Sequence, residues 1–96
     1  MLWSIETKHS GCFQSNTEEN VIKSMIQHYA EDEEDPDEIL SIEAYQDGEV
    51  IQQLSEMEIN KIYGRIEREV RNWIEEANFE SEHRKQIRNE YRANLI

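Results

Sequence analysis

The amino-acid sequence predicts a small α+β domain in which an antiparallel sheet packs against helices. Three observations predict this class. β-forming runs occur near residues 2–7 and 39–53, an Asp-Gly pair divides the second run, and apolar stripes with helical spacing follow each run. Hairpins and helices that follow one another in blocks are typical of α+β folds. The predicted order is β(β)-α-β-β-α-α, in one domain of 96 residues.

The N-terminal strand is predicted over Leu2–Thr7. Trp3 and Ile5 alternate with polar residues there, as in a strand with one buried face. Gly11 then suits a turn, because glycine adopts a positive φ without steric cost. Residues 12–14 could form a second short strand that closes a hairpin, but three residues do not decide this.

The first helix is predicted to begin at a capping box formed by Ser15 and Glu18. Behind the box, five apolar residues recur on one face of a helix of about four turns. They are Val21, Ile22, Met25, Ile26 and Tyr29. Pro36 disfavours helical geometry in the residue before it, so the helix is expected to end within the acidic residues that follow.

The second hairpin is predicted at Asp47-Gly48, because a type I′ turn needs a positive φ at both central residues. The implied register pairs Tyr45 with Val50, Ala44 with Ile51, and Ile42 with Gln53. In that register the residues that share the apolar face are Leu40, Ile42, Ala44 and Ile51.

A second capping box, Ser55 with Glu58, is predicted to open the main core helix. Its stripe steps by three or four residues through Ile59, Ile62, Ile66, Val70, Trp73 and Ala77. Gly64 within this helix suggests a close backbone approach or a slight kink. Asn78 is a plausible stop, and a terminal helix is predicted over about 81–95. The narrower stripe of that helix is a candidate oligomer or second docking face, formed by Ile87, Tyr91 and Leu95.

The charge is strongly negative and unevenly placed. The chain has 22 acidic and 10 basic residues, for a net charge of −12. Residues 1–60 contain 15 of the acids against only Lys8 and Lys23. Residues 31–38, here called the acidic segment, hold seven carboxylates and the single proline. If extended, the segment would place its charges about every 3.8 Å, close to the phosphate spacing of one DNA strand.

The acidic residues therefore form the predicted partner-binding surface, and two interpretations of it stay open. In the first, the surface mimics nucleic acid and occupies the basic groove of a nucleic-acid-handling protein. In the second, the segment is a solvated connector, and the chain is a small adaptor or assembly protein that docks through apolar residues of its last helix. The predicted binding residues are Glu31, Asp32, Glu33, Glu34, Asp35, Asp37, Glu38, Glu43, Asp47 and Glu49.

Other function classes have weak sequence support. His9 and Cys12 supply half of a zinc site at most, so no metal or cofactor is expected. Exposed neighbouring acids do not provide the separated pKa values that acid–base catalysis needs, so no enzyme is expected. Phosphates would repel so acidic a chain, which disfavours direct nucleic-acid binding. A single cysteine and the lack of a leader or membrane span predict a cytoplasmic protein, and a homodimer stays open.

In size and net charge, the whole chain resembles the small acidic inhibitors made by phages and mobile elements. These include anti-CRISPR, anti-restriction and other nucleic-acid-mimicking proteins. No sequence motif carries the resemblance. It implies an inhibitor that acts by binding, without catalysis.

Overall fold

The computed structural model describes residues 1–94, with side chains described within residues 1–77. The elements in chain order are β1 (Leu2–Thr7), β2 (Cys12–Ser15), α1 (Glu18–Glu31), β3 (Ile39–Gln46), β4 (Glu49–Gln53) and α2 (Glu56–Asn94). The strands form one antiparallel sheet in the order β2-β1-β3-β4. This confirms the predicted α+β class and settles residues 12–15 as a strand.

Both tight turns have the backbone geometry that their sequences predict. Gly11, at the end of the β1–β2 turn, has a φ of 80°. In the β3–β4 turn, Asp47 has a φ of 53° and Gly48 a φ of 80°. A positive φ at both central residues is the signature of a type I′ turn, so the Asp-Gly prediction is confirmed.

Helix α1 begins two residues later than the capping box predicted. Its N-cap is Thr17, whose hydroxyl accepts a hydrogen bond from the amide of Asn20 at 3.1 Å. Ser15 instead ends strand β2, opposite Trp3 of β1. Ser15 is paired in the strand and so cannot cap the helix, and Thr17 is also among the residues preferred as an N-cap. All five residues of the predicted apolar stripe are buried.

The register of the second hairpin is confirmed only next to the turn. Tyr45 pairs with Val50 as predicted, but Ala44 then pairs with Gln52, which leaves Ile51 as an extra residue in β4. Such a β-bulge reverses the alternation of the side chains beyond it. The predicted pairs of Ile51 and Gln53 are therefore wrong, and Ile51 is 47% exposed.

A second bulge lies in β3 where it pairs with β1. Glu6 pairs with Ser41 and Thr7 with Ile39, so Leu40 is the extra residue. Leu40 was expected on the apolar face, but it is 53% exposed, and Ile39 is buried instead. Neither bulge has a signal in the spacing of the apolar residues.

Helix α2 is a single element from Glu56 to Asn94 where two helices were predicted. Ser55 caps its start, since its hydroxyl accepts from the amide of Glu58 at 3.3 Å. The predicted break at Asn78 is wrong. One asparagine costs a helix well under 1 kcal/mol, and no proline or glycine follows Gly64. Nothing lies within 4 Å of the position that a Cβ would take at Gly64, so this glycine does not serve a close approach.

The core lies between one face of the sheet and the two helices. Helix α1 contacts β1 and β2, α2 contacts β3, and the helices contact each other. Among residues 56–77, helix α2 contributes Ile66 and Val70 as fully buried residues, with Ile74 partly buried. Trp73 is 46% exposed and Ala77 is exposed, so the predicted stripe is wrong at its end. After Val70 the buried face continues four residues on, at Ile74, and the helix turns Trp73 away from the core.

Within the part of the chain that the structure describes, neither helix is long and apolar enough to span a membrane.

Candidate functional site

The acidic segment begins in the last turn of α1, reverses direction after the helix C-cap and then leads into β3. Glu31 is the last helical residue and Asp32 is the C-cap. Glu33 has a φ of 53°, which turns the chain, and the amide of Glu34 donates to the carbonyl of Tyr29 at 3.0 Å. The seven carboxylates therefore do not follow one extended line. They are distributed around a helix end and along the short connection into the sheet.

The second half of the segment is anchored through its backbone. Pro36 is buried, and its carbonyl accepts a hydrogen bond from the hydroxyl of Tyr63 on α2 at 2.9 Å. The carbonyl of Glu38 accepts from the amide of Lys8 at 3.0 Å. These contacts tie the segment to both α2 and the β1–β2 turn, so its carboxylates project from an ordered backbone.

Asp37 is the one carboxylate of the segment that has a clear structural role. It accepts hydrogen bonds from the backbone amides of His9, Ser10 and Glu38, the last two at 2.9 Å. Partial desolvation raises the pKa of Asp37, but the three backbone hydrogen bonds outweigh this effect and hold its pKa below the ordinary value. Its partners His9 and Ser10 are distant in sequence, so nothing local in the sequence distinguishes Asp37 from its acidic neighbours.

Few of the other acids in the segment have cationic partners. Lys8 lies 3.8 Å from Glu38, and His28 lies 4.0 Å from Asp32, a pair that is charged only when the histidine is protonated. Within residues 1–77, no ion pair involves the three central acids. These are Glu33, Glu34 and Asp35, and all three are exposed.

The structure separates the hairpin acids from the acidic segment. Asp47 lies in the β3–β4 turn and Glu49 directly follows it, whereas the segment enters β3 at its other end. Eight strand residues lie between them, a distance of about 25 Å. Apart from Glu43, the predicted surface thus consists of two clusters, one at each end of β3.

Glu43 lies between these clusters, on the sheet face away from the helices. The hydroxyl of Tyr45 donates to it, and the side-chain amide of Gln53 approaches it at 3.4 Å. The hydrogen bond to the Glu43 carboxylate raises the pKa of Tyr45. Glu43 therefore places a carboxylate on this sheet face about midway between the acidic segment and the hairpin turn.

Arg65 joins the two helices through ion pairs that the sequence pattern did not predict. Its guanidinium binds both carboxylate oxygens of Glu19 on α1, one of them at 2.8 Å, and donates to Glu69 at 2.9 Å. The hydrogen bond from Arg65 lowers the pKa of Glu19. Arg65 therefore holds α1 against α2 and offsets one of the two negative charges of Glu19 and Glu69.

The remaining predicted docking face lies outside the described side chains. It comprises Ile87, Tyr91 and Leu95. Within the residues that the structure does describe, no three His, Cys, Asp or Glu side chains converge as a metal site would require.

No known protein family, curated protein or solved structure matches this chain. A functional interpretation therefore depends on its own residues.

Proposed function

We propose that the chain is a non-enzymatic inhibitor whose acidic segment enters the basic groove of a nucleic-acid-handling protein and blocks it. The proposal places it with the phage- or mobile-element-type inhibitors, of the anti-CRISPR or anti-restriction kind. Its single cysteine is free, in keeping with action in a reducing cytoplasm.

The observation that carries the proposal is that the acidic segment has a backbone held by hydrogen bonds, while its central carboxylates have no cationic partner among the described residues. Glu33, Glu34 and Asp35 are exposed and lack ion pairs within residues 1–77, while Pro36 and Asp37 hold the backbone beside them. Fixed charges lose less conformational freedom on binding than charges on a mobile connector would. A solvated connector does not need such anchoring.

The charge distribution also favours a cationic partner. Within residues 1–77, the segment and the sheet carry acids with few bases near them, so the potential of this surface attracts basic surfaces and repels phosphates. Affinity that rests on many such contacts falls steeply with salt, as it does when proteins bind DNA itself. We expect binding to weaken markedly between about 50 and 200 mM salt.

The test starts from proteins captured on the immobilised chain at low salt. Captured proteins that bind duplex DNA should be released by added duplex DNA, and the free chain should inhibit their DNA binding. The variant with Glu33→Gln and Glu34→Gln should capture and inhibit much less. A matched variant on α2, with Glu56→Gln and Glu76→Gln, has the same net charge and should behave as wild type.

Two results would contradict the proposal. One is a captured protein that duplex DNA cannot displace. The other is equal inhibition by the segment variant and the α2 variant, which would make the acidic segment a solvated connector.

The second candidate function, an adaptor that docks through its last helix, rests on the length of α2. The described core contacts of α2 lie between Ile59 and Ile74, yet the helix continues to Asn94. Twenty helical residues span about 30 Å. In sequence, Ile87, Tyr91 and Leu95 recur every four residues, which suits one docking face.

The two functions differ in how they respond to salt. Docking through apolar residues should survive 500 mM salt and be lost in Tyr91→Glu, with Glu33→Gln having no effect. Binding that is lost in moderate salt and unaffected by Tyr91→Glu would remove the adaptor hypothesis.

A further inference from the structure

The sheet has one face that no described element covers. Both helices pack on the face that buries Trp3, Ile5, Ile42 and Ala44. Side chains alternate along strands, so the intervening residues point to the other side, here called the open face. Eight residues of the open face surround a shallow depression of about 360 Å³. They are Leu2, Ser4, Glu6, Cys12, Gln14, Ser41, Glu43 and Tyr45.

One end of the open face is apolar. Leu2 of β1 pairs with Tyr45 of β3, which in turn pairs with Val50 of β4, so the three side chains form a row across three strands. Leu2 is 37% and Val50 50% exposed. Aliphatic or aromatic groups of a partner can pack on such a row without displacing any part of this chain.

The middle and the other end of the open face are polar and acidic. Ser4 pairs with Glu43, and Glu6 with Ser41, so Glu6 and Glu43 occupy diagonal positions of adjacent strands, whose Cα atoms are about 7–8 Å apart. Ser4 forms the floor between them, since it is only 8% exposed. No residue in the strands of this face is basic.

The acidic end of the open face adjoins the acidic segment. Glu38 directly precedes β3, and the row of Glu6 and Ser41 is the first full row on that side of the sheet. Negative charge therefore continues from the segment through Glu6 to Glu43, and ends at the apolar row. A peptide bound along this face from the acidic segment toward the β3–β4 turn would contact the carboxylates first and the apolar row last.

We propose that the open face is a second part of the partner interface, and that it accepts arginine or lysine side chains from a basic segment. The aliphatic stem of one such side chain would lie on Leu2 and Tyr45 with its cationic end at Glu43, and a second basic side chain further along the face would reach Glu6. Long basic side chains combine an apolar stem with a charged end, which matches this surface. The inference rests on the proposed function, because the partner is the same basic protein.

The test uses nona-arginine as the probe and three double variants of equal net charge. The face variant carries Glu6→Gln and Glu43→Gln, and the segment variant carries Glu33→Gln and Glu34→Gln. The control carries Glu56→Gln and Glu76→Gln on α2. The face variant should bind the peptide about fivefold more weakly than the control, as two exposed ion pairs would allow.

Thermal melts of all variants show whether each is folded before its binding is compared.

Cys12 gives a second readout without any substitution, since it is the only cysteine and lies exposed at the rim of the depression. Nona-arginine should slow the reaction of its thiol with a maleimide in wild type but not in the face variant. An unchanged reaction rate in wild type would overturn the inference. Protection that grows with protein concentration, without peptide, would also overturn it and assign the face to a second copy of the chain.

The variants distinguish this inference from the proposed function. A face variant equal to the control overturns the inference, while a weakened segment variant still supports the function. A weakened face variant beside an unaffected segment variant supports the open face and contradicts the role of the segment.

Discussion

Replacing Ile66 should destabilise the protein far more than replacing Trp73. Ile66 is fully buried in α2, where it packs with Val70 against the sheet and α1, whereas Trp73 is 46% exposed. Truncation of a fully buried isoleucine to alanine costs about 2–5 kcal/mol, which includes the cavity that remains. Trp73→Ala removes a side chain that is half in water already, and we expect about 1 kcal/mol.

Urea denaturation followed by far-ultraviolet circular dichroism measures this difference without relying on tryptophan fluorescence. With a slope of about 1.5 kcal/mol per molar urea, a loss of about 3 kcal/mol lowers the midpoint by about 2 M. Ile66→Val, which should cost about 1 kcal/mol, keeps the experiment informative if Ile66→Ala does not fold.

The result that would refute this reasoning is a larger loss for Trp73→Ala than for Ile66→Ala. That order would mean that Trp73 is buried in solution and that α2 packs on the sheet with a different face.

Three further predictions follow from single residues. Gly64→Ala should raise the free energy of unfolding by about 1 kcal/mol, because alanine favours the helix and its Cβ meets open space; a lower denaturation midpoint would contradict this. Asp37→Asn should destabilise the fold at pH 7, and Asp35→Asn should not. Because the folded pKa of Asp37 is lowered, its contribution is complete above its ordinary value of 3.8 and disappears as the pH falls through the folded pKa. The difference between the two variants should therefore shrink in melts as the pH is lowered below 3.8. Arg65→Met should cost at most about 1 kcal/mol, with a smaller loss at high salt; a loss that does not change with salt would show that the packing of the Arg65 stem dominates.

Salt should stabilise the wild-type domain at neutral pH, because the net charge of −12 opposes compaction and screening relieves it. A melting temperature that falls with added salt would show instead that ion pairs such as Arg65 with Glu19 outweigh the repulsion.

Signals that act over a few residues were sufficient to predict most elements. The Asp-Gly turn, the stripe on α1 and the cap at Ser55 each depend on neighbours within about four residues, and all three are present in the structure. The negative charge of the acidic segment is likewise a property of the sequence alone. For this reason the fold class and the choice of acidic segment could be made before any contact was known.

The tertiary structure decided the features that depend on residues far apart in the chain. The bulges at Leu40 and Ile51 arise from pairing between strands, and they reverse which side chains reach the core. Asp37 became a structural residue because the β1–β2 turn places two amides beside it. Trp73 and Ile74 follow Val70 by three and four residues, and either spacing can continue an apolar stripe. Only the packing of α2 decided that Ile74 is partly buried and Trp73 is exposed.

The same distinction applies to the acidic surface. Composition determined how much negative charge the protein carries, but only the fold divided it among the acidic segment, the open face and the distant hairpin turn. Arg65 of one helix pairs with Glu19 of the other and offsets part of its charge, while Glu33 and Glu34 are exposed. The physical reason is that electrostatic interactions depend on distances in space, and the sequence specifies those distances only within a turn or two of helix or strand.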